Sequence, residues 1–482
     1  TKIKEGKMRC FIAIFIAITF FTSIGSSAFG QANHWKDLQS LPFPENYPTK
    51  ETADRLYDEM LFHRATQVVL WSLPAMTLWA MKKGSEAQFG EGSNVFPIWK
   101  DRLSAETLVS TPNSDVIYGM GYLDLKMDGP TVIEVPPKLQ GILDDFWHRP
   151  LTDVGFVGPD KGKGGTYVLL PPDYKDVESI AAKLVGGLTG AHVVKSETYG
   201  HWLAMRGFMT DFEPDPVVQN MKEHFRLYPL GEKPKEVNWV NVAMKAFNTL
   251  HAQDITFFEE VNEIVQEEPN SAQDPEILGL LASIGIQKGK PFKPDARMQE
   301  ILAEAAAVGT AAQRSIIWRN RDDNVVLWPG SKSWERGFAG GSHEFKNDGV
   351  SLINSRTRFH FYATGITPVM VKPPVGAGST YVIGLRDAEG NPLDGSKTYR
   401  IHVPPNVPAK RFWEITIYDN QTRSFLQTDQ PHPGVPSIDP DLVTNADGSV
   451  DVYIGPKKPE GKVNWIQTIP GKGWNLLWRI YG

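Results

Sequence analysis

Two runs of short β-strand patterns, separated by a stretch of helical spacing, constrain the fold of this chain more than any other feature. In residues 96–210, short apolar segments are divided by turn signals such as Gly164-Gly165 and Pro171-Pro172. The same pattern returns in residues 326–482. Short strands at such spacing, with polar turns, are typical of β-sandwiches. The sequence therefore predicts two β-domains.

Helical spacing precedes and separates these domains. Residues 50–95 predict a helical lead-in, which Pro74 is expected to kink or end. Residues 214–325 predict a helical block that includes a helix over 239–250. The expected fold class is mainly β with a helical insert. It consists of an N-terminal β-sandwich, a middle α-helical block and a C-terminal jelly roll or sandwich.

The first thirty residues resemble a secretory signal peptide. Lys4, Lys7 and Arg9 precede an apolar run over 10–25, and small residues follow up to Gly30. An uncleaved anchor is the alternative, but the run is shorter than the roughly 20 residues of a membrane span. We therefore expect cleavage, a periplasmic or secreted product, and no stable membrane anchor afterwards.

Charge and cysteine content narrow the classes of function. Residues 1–30 hold four of the 50 basic residues and one of the 56 acidic residues, so the remaining chain carries a net charge of −9. Nucleic-acid binding needs clustered Lys and Arg, which this sequence lacks. Cys10 lies in the predicted signal peptide and is the single cysteine. Disulfides and thiolate chemistry are therefore excluded from a cleaved protein.

The segment Thr111-Pro-Asn-Ser-Asp-Val-Ile-Tyr118 joins a polar turn directly to an apolar strand. Asp115 and Tyr118 are candidate catalytic residues at the edge of a cleft, and Asn113 is a candidate binding residue. The alternative is an Asx turn in which Asn113 or Asp115 accepts a local backbone N–H.

A second polar group follows Phe146-Trp147. His148 is a candidate general base oriented by Asp153, and Arg149 could bind a substrate carboxylate. Alternatively, Arg149 and Asp153 form a structural ion pair. His360 and His402 are predicted on strands, where they could face a cavity, but they lack the spacing of a metal site. No metal site and no cofactor is therefore assigned, and none of the common nucleotide or hydrolase motifs is present.

Two groups of segments carry a family resemblance. Thr111–Tyr118 and Gly164–Pro172 resemble the domain of unknown function 1254, whereas Leu385–Gly390 and Phe412–Asp419 resemble the domain of unknown function 1214. The exported proteins with both domains imply an N-terminal immunoglobulin-like β-sandwich, a helical insert, a C-terminal jelly-roll β-sandwich and a homo-oligomer, without settled catalytic residues or cofactors. The resemblance also implies a proline and a short tail after Gly482, so we expect truncation there.

Two functions remain open at this point. One is a cell-envelope hydrolase acting on a small molecule or glycan in a cleft between the β-domains, with Asp115, Tyr118, His148 and Asp153 as candidates. The other is a non-catalytic ligand-binding or scaffolding protein of the periplasm. Convergence of those side chains would favour the enzyme.

Overall fold

The computed structural model describes residues 26–175, 180, 190–374, 376 and 378–482. Residues 1–25 of the predicted signal peptide lie outside this set, and residues 26–30 belong to the first helix. Residues up to His63 and residues from Arg64 onward form two compact units. In the first unit, Glu59 Oε1 lies 3.0 Å from Nε2 of both His34 and His63.

The helices of the described residues differ widely in length. In chain order they are α1 (Ser26–Gln39), α2 (Lys50–Phe89), α3 (Leu125–Asp128), α4 (Asp215–His224), α5 (Thr256–Glu267), α6 (Pro275–Ser283), α7 (Ala296–Trp318), α8 (Ile353–Tyr362) and α9 (Pro368–Val371).

Helix α2 continues through Pro74 to Phe89, so the predicted end at this proline is wrong. Proline removes one backbone hydrogen bond of the helix. Around it, however, the helix is buried, with Leu73, Ala75 and Met76 fully inaccessible to solvent. Tertiary packing of these residues outweighs the local penalty.

Two sheets form the N-terminal β-domain. One sheet has the order β11-β1-β3-β9-β5-β6 and the other β10-β4-β7-β8, and a shared hydrophobic core lies between them. The strands are β1 (Val95–Ile98), β2 (Thr107–Leu108), β3 (Val116–Asp124), β4 (Thr131–Val135), β5 (Leu139–Asp145), β6 (Pro150–Gly155), β7 (Gly165–Leu170), β8 (His192–Lys195), β9 (Gly200–Phe208), β10 (Arg226–Pro229), β11 (Asn238–Asn241) and β12 (Phe247–Asn248).

The C-terminal β-domain is built in the same way. A sheet of order β13-β16-β22-β18-β19 and a sheet of order β17-β20-β21 share a second core. The strands are β13 (Trp334–Arg336), β14 (Lys346–Asn347), β15 (Val350–Ser351), β16 (Ser379–Gly384), β17 (Tyr399–Val403), β18 (Phe412–Asp419), β19 (Gly434–Pro436), β20 (Val450–Gly455), β21 (Asn464–Gln467) and β22 (Trp474–Tyr481).

Two local predictions are wrong. The segment predicted as a strand around His360 is helix α8, in which residues 357–362 are all buried. A segment buried on every side has no polar face from which its period could be read. The predicted helix over 239–250 is extended instead. It contributes β11 and β12, which pair in parallel with β1 and β2, so long-range pairing overrides the helical spacing.

The chain is a mixed helix–sheet protein, with 30% of its residues in helices and 27% in strands. The predicted weighting towards mainly β is therefore wrong, because α2 and α7 are long and α8 replaces a strand. Helices α4 to α7 lie in chain order between the two groups of strands, with β10, β11 and β12 among them. The predicted division into domains stays a prediction. The immunoglobulin-like and jelly-roll topologies stay predictions.

Candidate functional site

Side-chain alternation gives the central sheet of the N-terminal domain two different faces. On β9, Leu203 and Met205 belong to the hydrophobic core. Arg206 points to the opposite face, because successive side chains on a strand alternate. The register places Tyr118 of β3 and Gln140 of β5 on either side of Arg206. A polar row therefore crosses three strands on the face away from the core.

The five-stranded sheet of the C-terminal domain has a matching arrangement. On β18, Ile415 belongs to the core, and Glu414 points to the other face. Arg479 of β22 lies between Glu414 and Tyr381 of β16 in the register. This sheet therefore also carries polar and aromatic side chains on the face away from its own core.

A cavity lies between these two faces. It consists of two adjoining pockets of about 90 and 80 Å³. An apolar cavity of about 150 Å³ binds a molecule of the size of benzene, so the two pockets together have room for a small organic ligand. Tyr118 and Arg206 line both pockets, whereas Tyr381 and Arg479 line the second. Most of the wall is apolar, including Met81, Met120, Ile142, Trp202, Phe338 and Leu477.

Arg206 and Tyr381 are the principal polar pair of the cavity. The guanidinium of Arg206 lies beside the Tyr381 side chain. Burial raises the pKa of Tyr381, but the neighbouring Arg206, Ser379 and Arg479 together outweigh burial and leave this pKa below its ordinary value. The Tyr381 phenol is therefore a better proton donor than an ordinary tyrosine, and its phenolate is stabilised by a cation.

A charged network holds the wall next to this pair. Arg479 Nη1 donates to Glu414 Oε1 at 2.7 Å, and Arg479 Nη2 donates to the carbonyl of Thr111 at 2.8 Å. Burial, followed by the neighbouring Asp115, raises the pKa of Glu414 well above its ordinary range. Arg102 Nη2 donates to Asp115 Oδ1 at 2.6 Å. Two arginines therefore flank two neighbouring carboxyl groups.

The candidate residues of the 111–118 segment have different surroundings. Tyr118 lines the cavity. Asn113 Oδ1 accepts the N–H of Asp115 at 2.6 Å, which is the predicted Asx turn. Asn113 Nδ2 donates to the Tyr481 hydroxyl at 2.6 Å, so this residue joins the two β-domains. Asp115 is buried in its ion pair with Arg102.

His148 is buried and held by backbone groups. Its Nε2 accepts the N–H of Gly365 at 2.8 Å, so Nδ1 carries the proton and lies 3.2 Å from the Pro74 carbonyl. Burial lowers the pKa of His148 to about 4, which makes it neutral at neutral pH. The carboxylate next to its ring belongs to Asp144, 3.6 Å from Nε2. His148 thus positions Gly365, a residue of the cavity wall.

Arg149 and Asp153 do not form the alternative ion pair considered from the sequence. Arg149 Nε donates to Asp145 Oδ2 at 2.6 Å, and its Nη1 lies 3.2 Å from Glu197 Oε2. Asp153 is hydrogen bonded to the Thr367 side chain, and burial raises its pKa to about 6. The catalytic roles suggested for Asp115, Tyr118, His148 and Asp153 stay predictions.

Sequence reasoning missed Arg206, Tyr381 and Arg479. A signal was present, because each lies in an apolar strand segment: Leu-Ala-Met-Arg206, Thr-Tyr381-Val-Ile and Leu-Trp-Arg479-Ile. A charged or polar side chain at an alternating position of an otherwise apolar strand indicates that the second face of the sheet contacts polar groups. The sequence around each residue does not show that the three lie close together, because their proximity depends on how the domains pack.

Among the described residues, no group of three or more His, Cys, Asp or Glu side chains could hold a metal ion. Over the same residues, no helix combines the length and the apolarity needed to cross a membrane.

The fold and the cavity define a class of protein with two sheet-based domains that enclose a small-molecule-sized cavity. Residues 93–229 match the family described as "Protein of unknown function (DUF1254)", and residues 378–482 match "Protein of unknown function (DUF1214)". The chain therefore belongs to the proteins that carry a DUF1254 domain followed by a DUF1214 domain, as predicted.

A solved structure shares the fold of this chain. The VPA0106 protein from Vibrio parahaemolyticus is 19% identical, with a TM-score of 0.50 over 88% of this chain and 95% of its own. An uncharacterized protein from Burkholderia cenocepacia is 13% identical, with a TM-score of 0.37 over 88% of this chain and 92% of its own. The first likeness concerns the fold alone. No curated protein matches the chain.

Proposed function

We propose that this chain is an exported cell-envelope protein, periplasmic or secreted, that binds a small and largely apolar molecule in the cavity between its β-domains. The signal-peptide pattern of residues 1–30 supports export. We also propose that the protein forms homo-oligomers, as the resemblance to its family implies.

The cavity itself carries the proposal. Protein interiors are normally close-packed, with few voids larger than a water molecule. Here two sheets turn their second faces towards each other and leave space of ligand size between them. Side chains such as Met120, Ile142 and Trp202 form a wall suited to an apolar ligand, and a few polar groups could orient it.

The hydrogen bonds of Asp115 and His148 favour ligand binding over a hydrolase mechanism that uses these two residues. Both nitrogens of His148 lie within hydrogen-bonding distance of protein groups, and Asp115 pairs with Arg102. A general base needs a free acceptor within reach of the substrate. Of the four catalytic candidates, Tyr118 is the one that lines the cavity in the part of the chain that the structure describes.

Binding of the neutral fluorophore Nile red tests the proposal. Ala204 lies in the cavity wall between Met120 and Ile142, so Ala204→Phe fills the space. We expect saturable binding by the wild type and by the matched control Ala303→Phe on the exposed face of α7, with at least about tenfold weaker binding by Ala204→Phe. Equal binding by all three proteins would place the ligand elsewhere, and no saturable binding by the wild type would refute the proposal.

Hydrolysis of a small molecule or glycan in the same cavity is the second candidate, and the lowered pKa of Tyr381 is the observation that favours it. A phenol beside a guanidinium can exchange a proton with a bound substrate or water. A panel of neutral esters and glycosides tests this candidate. Turnover that Tyr381→Phe abolishes, while Nile red binding persists, would support catalysis. Turnover unchanged in that variant would exclude the role of Tyr381.

A further inference from the structure

The guanidinium of Arg206 is the feature of the cavity that the proposed function does not use. Arg206 itself is partly buried. Two buried arginines have anionic partners, with Arg358 paired to Glu335 at 2.8 Å and Arg479 paired to Glu414 at 2.7 Å. Within the described part of the chain, Arg206 forms no ion pair with a carboxylate. Its charge therefore faces the cavity without a carboxylate in contact, at a cost in free energy.

A buried arginine can also be satisfied by carbonyl groups alone. Arg423 is such a case, because its Nε donates to Phe361 O at 2.9 Å and its Nη1 to Gln421 O at 2.6 Å. Over the residues that the structure describes, Arg206 makes no comparable bond to a carbonyl. Its partners are the Tyr381 phenol and the ring of Tyr481, which lies 5.9 Å from the guanidinium carbon.

We propose that Arg206 binds the carboxylate of a monoanionic ligand whose apolar body fills the rest of the cavity, such as a fatty or aryl acid. This inference rests on the proposed function, since it names the ligand class of the same cavity. A planar guanidinium can bind a carboxylate through two parallel hydrogen bonds. Tyr118, which pairs with Arg206 across the sheet, offers a further hydroxyl at the same end.

The charge of the ligand follows from the balance of charges at that end. Arg479 also lines the cavity, but its positive charge is paired with Glu414. Asp153, whose pKa burial raises to about 6, is ionised at pH 8 and interacts with Arg206 electrostatically, but it forms no ion pair with Arg206 and does not line the cavity. Among the described residues, Arg206 is therefore the cation of the cavity wall without an ion-pair partner. A single carboxylate neutralises it, whereas a polyphosphate needs several cations.

Competition against Nile red with the matched pair decanoate and decanol tests the inference. The two ligands share the same chain and differ in the anionic group. We expect the wild type at pH 8 to bind decanoate at least about tenfold more tightly than decanol, because a charge-assisted hydrogen bond is worth more than a neutral one. Arg206→Met should bind decanoate and decanol with about equal affinity and should still bind Nile red.

Two further variants complete the experiment. Arg206→Lys keeps the charge and should retain part of the preference, whereas Arg400→Met removes an exposed arginine and should leave it unchanged. Equal binding of decanoate and decanol by the wild type would overturn the inference and leave the proposed function standing. A preference that survives in Arg206→Met would also overturn it. Failure of the wild type to bind Nile red and both ligands would refute the proposed function and this inference together.

Discussion

Removal of the Arg479 guanidinium should destabilise the protein in a manner that depends on pH. Arg479 and Glu414 are 4% and 0% exposed, and their charged atoms lie 2.7 Å apart. Arg479→Met leaves the Glu414 carboxyl without its cation and the Thr111 carbonyl without its donor. Losing one partner of a buried ion pair costs about 3–5 kcal/mol, and we expect this loss at pH 8.

The pKa of Glu414 determines how the destabilisation by Arg479→Met changes with pH. Burial, followed by Asp115, raises its pKa well above the ordinary value, while Arg479 lowers it. Removing Arg479 raises this pKa further. A raised carboxyl pKa stabilises the folded state at low pH, and this contribution is lost as pH increases. The variant should therefore lose only about 1–3 kcal/mol near pH 4.5, where Glu414 is protonated, and more at pH 8.

Urea unfolding followed by tryptophan emission at pH 4.5 and pH 8 measures this difference. The double variant Arg479→Met, Glu414→Gln removes the unpaired charge and should recover at least half of the loss at pH 8. As a control, Lys462→Met breaks an exposed pair with Asp441 and should cost under about 0.5 kcal/mol. Equal destabilisation at the two pH values, or no recovery in the double variant, would refute the reasoning.

Two further predictions concern single positions. Burial raises the pKa of Asp153 to about 6, so its stabilising contribution is present at low pH and is lost as pH rises through that value. Asp153→Asn stays neutral, so its free energy of unfolding, measured with urea, should exceed that of the wild type at pH 8 by up to roughly 2–3 kcal/mol, but not at pH 4. The reverse order of stability would contradict this assignment. A Cβ at Gly121 would lie 2.1 Å from Phe96 Cε2, so Gly121→Ala should cost about 1–3 kcal/mol in urea unfolding. Gly279 lies on the exposed side of α6, where no atom is near the new Cβ, so Gly279→Ala should raise the free energy of unfolding by about 0.5–1 kcal/mol. Equal effects of the two substitutions on stability would contradict the close approach of Phe96 to Gly121.

Strands with a clear two-residue period could be predicted from the sequence. The two-residue period predicts strands over 131–135, 399–403, 412–419 and 474–481, and these are the observed bounds of β4, β17, β18 and β22. In each, β-branched and aromatic residues lie between turn signals, so local preference and tertiary pairing agree. The family could also be predicted, because its segments around Asp115 and Trp413 are long and specific.

The candidate site could be predicted only in part. Tyr118 was found because it follows an unusual polar turn. His148 and Arg149 were noticed as a polar cluster, but His148 forms hydrogen bonds within the protein core and Arg149 pairs with Asp145. The chemistry of a side chain does not reveal which partners burial will supply.

The sequence by itself determined several strands, such as β4 and β18, and the side-chain alternation that places Arg206 and Tyr381 on the second face of their sheets. Alternation is a local property, since it depends on backbone geometry within one strand. Only the tertiary structure decided that these two faces enclose a cavity, because Arg206 and Tyr381 lie far apart in the chain and meet through domain packing. It also decided that segment 357–362 is helical, since a segment buried on every side carries no periodic signal.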